Sequence, residues 1–207
     1  MAHAMIAEAG LVLVLAMIPG PTTAVMVRQM LRGGPRTALA TVAGAQVAIL
    51  FWSVATALGF SALVDASQVA YDALRLVGAV VLVSLGVSSL RRGRRASGAT
   101  APLRSVAISP WRGFRTGILT DLANPKIAVF ALAFLPQFVP AHAPVLATTL
   151  LLGLVWVATD AAWYAVLIGL LTRSRTLLGA LRARHHLERI TGAVLVALGI
   201  WVAVERR

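Results

Sequence analysis

Three ionisable residues stand in apolar stretches of this sequence, where charge is uncommon. Lys126 is the only lysine in the chain and follows Asn124 and Pro125, while Asp121 precedes it by five residues. Asp160 lies in the middle of a separate apolar run. A lysine or aspartate at the centre of a membrane helix costs about 2.5–3.5 kcal/mol on insertion scales, and such residues usually mark pathways for ions or solutes. We therefore expect Lys126 to bind a substrate, and Asp160 and Asp121 to carry protons.

Each of these charged residues also has a structural interpretation. Lys126 could extend its ammonium to the membrane surface, with Asp121 lying near the cytoplasmic edge. Asp160 could instead form a fixed ion pair with Lys126 that holds two helices together. The sequence alone does not separate a proton carrier from such an ion pair.

Two proline motifs interrupt the apolar segments that would otherwise form helices. The first is Pro19-Gly20-Pro21, followed by Thr22, and the second is Asn124-Pro125-Lys126. Proline removes a backbone donor and frees a carbonyl group one turn earlier, and freed groups are tolerated in a membrane only against protein or a wet cavity. A helix that restarts at Pro21 would direct its positive end into that cavity, where a carboxylate can dock. Both motifs are therefore candidate substrate-binding segments, the alternative being kinks that only serve packing.

The elements that must position these residues belong to a membrane protein. Of 207 residues, 59% are hydrophobic and 13% charged, whereas soluble domains have about 45–50% apolar and about 25% charged residues. The net charge of +12 does not indicate a nucleic-acid partner, because the arginines cluster at the edges of apolar runs. We find no nucleophile constellation, metal-ligand cluster or cofactor motif, so we expect no enzyme, no metal site and no cofactor.

Six segments are long and apolar enough for membrane helices. The last is short, and five spans would remain if it lay on the membrane surface. The predicted segments are Ala9–Val27, Thr37–Val64, Val69–Leu90, Thr116–Val139, Val145–Thr172 and Ile190–Val204. These segments predict an all-α membrane protein with six transmembrane helices, in which helices 1 and 4 are broken at the proline motifs.

Arginine distribution predicts the orientation of these helices. Arginines concentrate in the connections after spans one, three and five, and the positive-inside rule places those connections in the cytoplasm. Both termini are then expected outside, in a multi-pass protein of the inner (plasma) membrane. Similar phrases at 78–87 and 192–200, with one proline break in each half, suggest an internal repeat. Because each half has an odd number of spans, the halves would be inverted repeats, at 1–90 and 111–207, joined by a basic cytoplasmic linker at 91–110.

The sequence resembles the lysine and homoserine exporter family LysE/RhtB. The resemblance rests on Ile18-Pro19-Gly20-Pro21-Thr22, then Arg32-Gly33-Gly34-Pro35-Arg36, and on the run 117–126 that continues to Phe134-Leu135-Pro136-Gln137-Phe138. It implies a secondary transporter that exports a small amino acid or derivative, and we expect proton antiport. A passive channel or a non-transporting membrane scaffold is the alternative.

The chain departs from the family's usual residues at three positions. Thr22 and Asp121 stand where asparagine is usual, and Trp52 stands where a histidine is often found. The substrate of a known member is therefore not carried over to this chain. Since 207 residues offer few helices to enclose a pathway, a homo-oligomer in the lipid bilayer is also expected.

Overall fold

The computed structural model describes residues 1–18, 20–66, 108–140 and 142–174, with scattered helical positions between 76 and 91 and between 193 and 200; for 60–66 it describes the backbone alone. Pro19, most of the predicted linker, and most of the predicted third and sixth spans lie outside the described residues. The repeat phrases at 78–87 and 192–200 also fall largely outside them.

All secondary structure in the described ranges is helical. Most helices begin at or next to a proline, which suits the first turn because the missing N–H would be unpaired there anyway. In chain order the elements are α1 (Ala2–Met17), α2 (Pro21–Ala66), α3 (Pro110–Leu122), α4 (Pro125–Val129), a π-helical turn (Phe130–Phe134), a 3₁₀ turn (Leu135–Phe138) and α5 (Val145–Arg173).

The described helices support a membrane location. Two of them, Pro21–Gly59 and Val145–Arg173, are long and apolar enough to cross a bilayer. A third span is possible if α3 and the segment Pro125–Phe138, which are bent by 54° at their junction, count as one. The prediction of an all-α membrane protein is confirmed at this level, whereas the six-helix inverted repeat with two broken spans stays a prediction.

Some predicted boundaries differ from those of the structure. Helix α3 begins at Pro110, inside the predicted linker, because Ser109 caps it by accepting a hydrogen bond from the Arg112 N–H. Helix α2 continues through the predicted loop after the first span, with a kink at Gly34. Gly34 has φ of +75°, a conformation that glycine adopts without steric cost. The fifth predicted span ends within one residue of α5.

Helices α2 and α3 pack with almost no side chain between them. A methyl group added at Gly117 would collide with the Thr41 carbonyl, and one at Gly113 would lie 2.7 Å from the Thr37 carbonyl. Small residues four apart allow membrane helices to approach in this way. The close contact fixes α3, and with it Asp121, against α2.

Two apolar clusters fill the interior on either side of the level of Asp160. The first cluster contains Val12, Leu15, Ile49, Phe130, Phe134, Leu152 and Trp156, among others. The second cluster contains Met26, Val27, Met30, Ala38, Val42, Tyr164, Ile168 and Leu171. Along α5, Asp160 lies between Trp156 of the first cluster and Tyr164 of the second. Along α2, Gln46 lies between Val42 and Ile49 in the same way.

Candidate functional site

Polar residues beside the two proline motifs meet in the interior. The Thr22 hydroxyl, one residue into α2, donates a hydrogen bond of 2.5 Å to the Asp121 carboxylate at the end of α3. On the other side of each break, a methyl group added at Gly20 would lie 3.5 Å from Lys126 Nζ. Both helical interruptions therefore bring their polar residues to one place.

Lys126 extends from the first turn of α4 toward the last turn of α1. Its ammonium donates to the Leu15 carbonyl at 3.4 Å, and that carbonyl also accepts from the Ile18 N–H. Asp121 and Asp160 both interact with Lys126 electrostatically. Within the described part of the chain, Lys126 forms no ion pair with either aspartate. The fixed Lys126–Asp160 pair that the sequence left open is therefore not formed in this conformation.

Asp160 is held by α2 rather than by its own helix. The Gln46 side-chain amide donates to Asp160 Oδ2 at 2.8 Å, and the aspartate is 7% exposed. One turn further along α5, the Tyr164 hydroxyl shares a hydrogen bond of 2.9 Å with Thr23. Helix α2 thus forms hydrogen bonds with two residues of α5 that lie one turn apart, Asp160 and Tyr164.

A small cavity lies among these side chains. Its volume is about 20 Å³, enough for about one water molecule. Its apolar walls come from Ala16 and from residues of the first cluster, and the second cluster contributes Tyr164. The polar lining comes from Thr22, Asp121, Lys126, Asp160 and Tyr164. An amino acid does not fit in a space of this volume.

Two buried polar atoms near the cavity have no hydrogen-bond partner. Gln46 Oε1 is an acceptor without a donor, and Asn124 Nδ2 is a donor that lies near Asp121 without making a well-formed hydrogen bond. The Asn124 Oδ1 atom is already used, because it caps α4 by accepting from the Lys126 N–H at 3.1 Å. An unpaired buried polar group costs about 1–3 kcal/mol. A ligand that offers both a donor and an acceptor would relieve both.

The predicted site residues occupy different places around this cavity. Thr22, Asp121, Lys126 and Asp160 line it directly. Gly20 lies beside Lys126, and Asn124 is buried at the start of α4. Pro21 and Pro125 begin their helices with exposed rings and do not line the cavity, while Pro19 lies outside the described residues.

Sequence reasoning missed several contributors to the site. Tyr164 and Trp156 line the cavity, and their spacing of four residues on either side of Asp160 is the helical signal that would have indicated them. Gln46 of α2 also contributes, because it contacts Asp160 directly. Glu8 is 0% exposed and was not considered for a functional role.

Comparison with known proteins identifies the family of the chain. The family model described as LysE type translocator matches residues 13–206. The chain belongs to this family. It is a family of transporters rather than of enzymes, so the expected transport class is confirmed.

Relatives of this LysE-type chain cover nearly its whole length. An uncharacterized membrane protein, YrhP, of Bacillus subtilis is 24% identical over 96% of the chain and 97% of its own length. A protein of Salmonella typhimurium named homoserine/homoserine lactone efflux protein is 28% identical, with 93% and 92% covered. A protein of Escherichia coli named threonine efflux protein is 24% identical, with 94% of each chain covered. No solved structure matches the chain.

Proposed function

We propose that this protein exports a small amino acid or amino-acid derivative from the cytoplasm in exchange for protons. The observation that carries the proposal is the small cavity in which Thr22, Asp121, Lys126 and Asp160 come together, at a level between two apolar clusters. The efflux names of relatives that align over more than nine-tenths of the chain support the amino-acid class.

An amino acid matches the charges of this cavity. Its carboxylate would bind the Lys126 ammonium, near the unpaired Asn124 Nδ2. Its ammonium would bind Asp160 and the unpaired Gln46 Oε1. The N-terminal end of α2 lies at the same place, since Thr22 lines the cavity, and its dipole favours a negative group there.

Protons and substrate would compete for Asp160 in this mechanism. A proton neutralises the carboxylate directly, whereas the substrate ammonium neutralises it by pairing. Only one of the two can occupy Asp160 at a time, so the inward passage of a proton would alternate with the outward passage of an amino acid.

Alternating access would come from opening one apolar cluster at a time. By the positive-inside rule, the second cluster faces the cytoplasm, because Arg28, Arg32 and Arg173 lie on its helices. Separating the second cluster would admit substrate from the cytoplasm, and separating the first would release it outside. A closed conformation with a cavity too small for an amino acid would be the intermediate between these states.

The test uses the purified full chain in proteoliposomes. Vesicles loaded with unlabelled L-homoserine, L-threonine or L-lysine are diluted into the same labelled compound, and transient accumulation of label is measured. A carrier gives this overshoot, whereas a channel lets the label equilibrate and a scaffold gives no flux. Absence of an overshoot with all three probes would remove the proposed function.

Asp160→Asn separates binding from proton coupling, with Thr172→Val as the matched control. Thr172 lies on α5 outside the cavity lining, and its hydroxyl bonds only within the helix. We expect the rate of export driven by a pH gradient to fall at least tenfold in Asp160→Asn and to stay unchanged in Thr172→Val. Undiminished gradient-driven export in Asp160→Asn would exclude Asp160 from coupling.

A further inference from the structure

Glu8 is a buried carboxylic acid that the mechanism above does not use. It lies in α1, is 0% exposed, and neither carboxylate oxygen has a hydrogen-bond partner among the residues that the structure describes. Taking an ionised carboxylate out of water without a donor carries a large desolvation cost. This arrangement suits the neutral acid, which holds a proton.

The position of Glu8 relates it to the cavity. Glu8, Val12 and Ala16 are four residues apart on α1 and share one helix face, and Val12 and Ala16 line the cavity. At about 1.5 Å rise per residue, Glu8 lies about 12 Å from Ala16 along the helix axis. Glu8 therefore lies on the cavity-facing side of α1 and is displaced from the cavity toward the first cluster. The arginine distribution predicts that this side of the molecule faces outside.

The described elements that pack around Glu8 contain few other ionisable groups. Helix α1 packs against α5 and the 3₁₀ turn Leu135–Phe138. The only other ionisable side chain of α1 is the exposed His3. On α5 they are Asp160, Tyr164 and Arg173, of which the first two lie at the cavity and the third at the opposite end, and the 3₁₀ turn has none. No neighbouring cation within the described ranges replaces the proton on Glu8.

We infer that Glu8 is a second proton-binding site, through which protons entering from outside pass on their way to Asp160. The inference rests on the proposed proton antiport and adds to it a residue that does not touch the substrate. Entry at Glu8 would keep a proton inside the first cluster until that cluster opens. A residue of this kind affects proton-driven transport without affecting substrate exchange.

Glu8→Gln tests this role, because glutamine keeps the size of the side chain and removes the acid. In proteoliposomes with labelled L-homoserine or L-threonine, we expect counterflow exchange at equal pH to stay within twofold of the unsubstituted protein. Export driven by an inward proton gradient should fall at least tenfold, and Glu8→Asp should restore part of it. Equal gradient-driven export in Glu8→Gln would overturn the inference, as would parallel loss of both activities, which indicates a structural role.

A second measurement does not depend on transport. The apolar reagent N,N′-dicyclohexylcarbodiimide adds to protonated carboxyl groups in membrane interiors, and the adduct rearranges to a stable acylurea that adds the mass of one reagent. Peptide mapping should find this adduct at Glu8, at a rate that falls as pH rises, and Glu8→Gln should abolish it. An unlabelled Glu8 at all pH values would refute the inference. Failure of all three amino-acid probes of the counterflow test with a labelled Glu8 would remove the proposed function and leave Glu8 as a proton-binding carboxyl group.

Discussion

The hydrogen bond between Thr22 and Asp121 is the contact that joins the two interrupted segments, and its strength can be measured. Its oxygens are 2.5 Å apart, and the residues are 5% and 1% exposed. Hydrogen bonds to charged groups contribute about 1.5–3 kcal/mol in soluble proteins. Side-chain hydrogen bonds inside a membrane protein average about 0.6 kcal/mol with a maximum of about 1.7. Because this bond is short, buried and charge-assisted, we expect about 1.5 kcal/mol, near the upper membrane value.

A double-mutant cycle isolates this value. The free energy of unfolding is measured in mixed micelles for Thr22→Val, Asp121→Ala and the double variant. Asp121→Ala has two other effects on the free energy of unfolding: it leaves a small cavity, and it removes the desolvation cost of a buried carboxylate. Both effects occur with and without the Thr22 hydroxyl, so they cancel in the cycle. What remains is the coupling between the hydroxyl and the carboxylate.

The bond between Thr23 and Tyr164 provides the matched control. It also joins α2 to another helix and is also buried, but it links two neutral hydroxyls at 2.9 Å. The cycle of Thr23→Val and Tyr164→Phe should give about 0.6 kcal/mol. A Thr22–Asp121 coupling below about 0.5 kcal/mol, or no larger than the control, would show that this contact does not hold the two interruptions together.

Two further substitutions test the packing and the charge of the site. Gly117→Val should lower the free energy of unfolding by about 1–3 kcal/mol, measured as a fall in the unfolding midpoint, because its side chain would collide with the Thr41 carbonyl. The control is Gly169→Ala on α5, where nothing lies within 4 Å, and it should be neutral or stabilising. Equal effects of the two substitutions would contradict the close packing. Lys126→Met should raise the half-saturation concentration for counterflow about tenfold or more, as expected for loss of one charge-assisted hydrogen bond. An unchanged value would place the substrate carboxylate elsewhere.

Local signals in the sequence predicted much of the helical framework. In the described residues, α1 ends at Met17 and α3 at Leu122, and a proline begins the helix that follows each of them. The long uncharged runs indicated membrane helices, and the fifth span was placed within one residue of α5. The kink at Gly34 was anticipated only as a loop, because a single glycine of positive φ is enough to redirect an otherwise continuous helix.

Contacts within the site depended on residues far apart in the chain. Thr22 and Asp121 are separated by 99 positions, and Gln46 and Asp160 by 114. Local patterns carry no information on which of many polar residues will pair across such distances. The Gly113–Gly117 spacing was a usable signal of close helix packing that the sequence interpretation did not use. Predicting its partner helix would still have required the fold.

Two departures from the residues usual in the family now have one explanation. Thr22 and Asp121 each stand where asparagine is usual, and in the structure they are hydrogen-bonded to each other. A threonine has one hydroxyl to donate, and an ionised aspartate only accepts, so the two form a directional pair. In this chain the pair connects the two interruptions, and an ionised Asp121 adds one negative charge to the cavity.

That added charge bears on how the proposed exchange can be obligatory. The empty cavity contains the carboxylates of Asp121 and Asp160 and the single ammonium of Lys126, so one negative charge is unbalanced. A proton on Asp160 leaves Lys126 opposite Asp121, whereas a bound amino acid pairs its ammonium with Asp160 and its carboxylate with Lys126. Both states leave Asp160 without an unpaired charge. Closing both apolar clusters over the empty, deprotonated cavity would desolvate an uncompensated carboxylate, which costs several kcal/mol. Protonation of Asp160 removes this cost, whereas a zwitterionic amino acid adds no net charge and leaves Asp121 without Lys126 as its counter-ion. In the proposed exchange the charge balance therefore favours closure with a proton inside, and closure over a substrate depends on its pairing with Asp160 and Lys126.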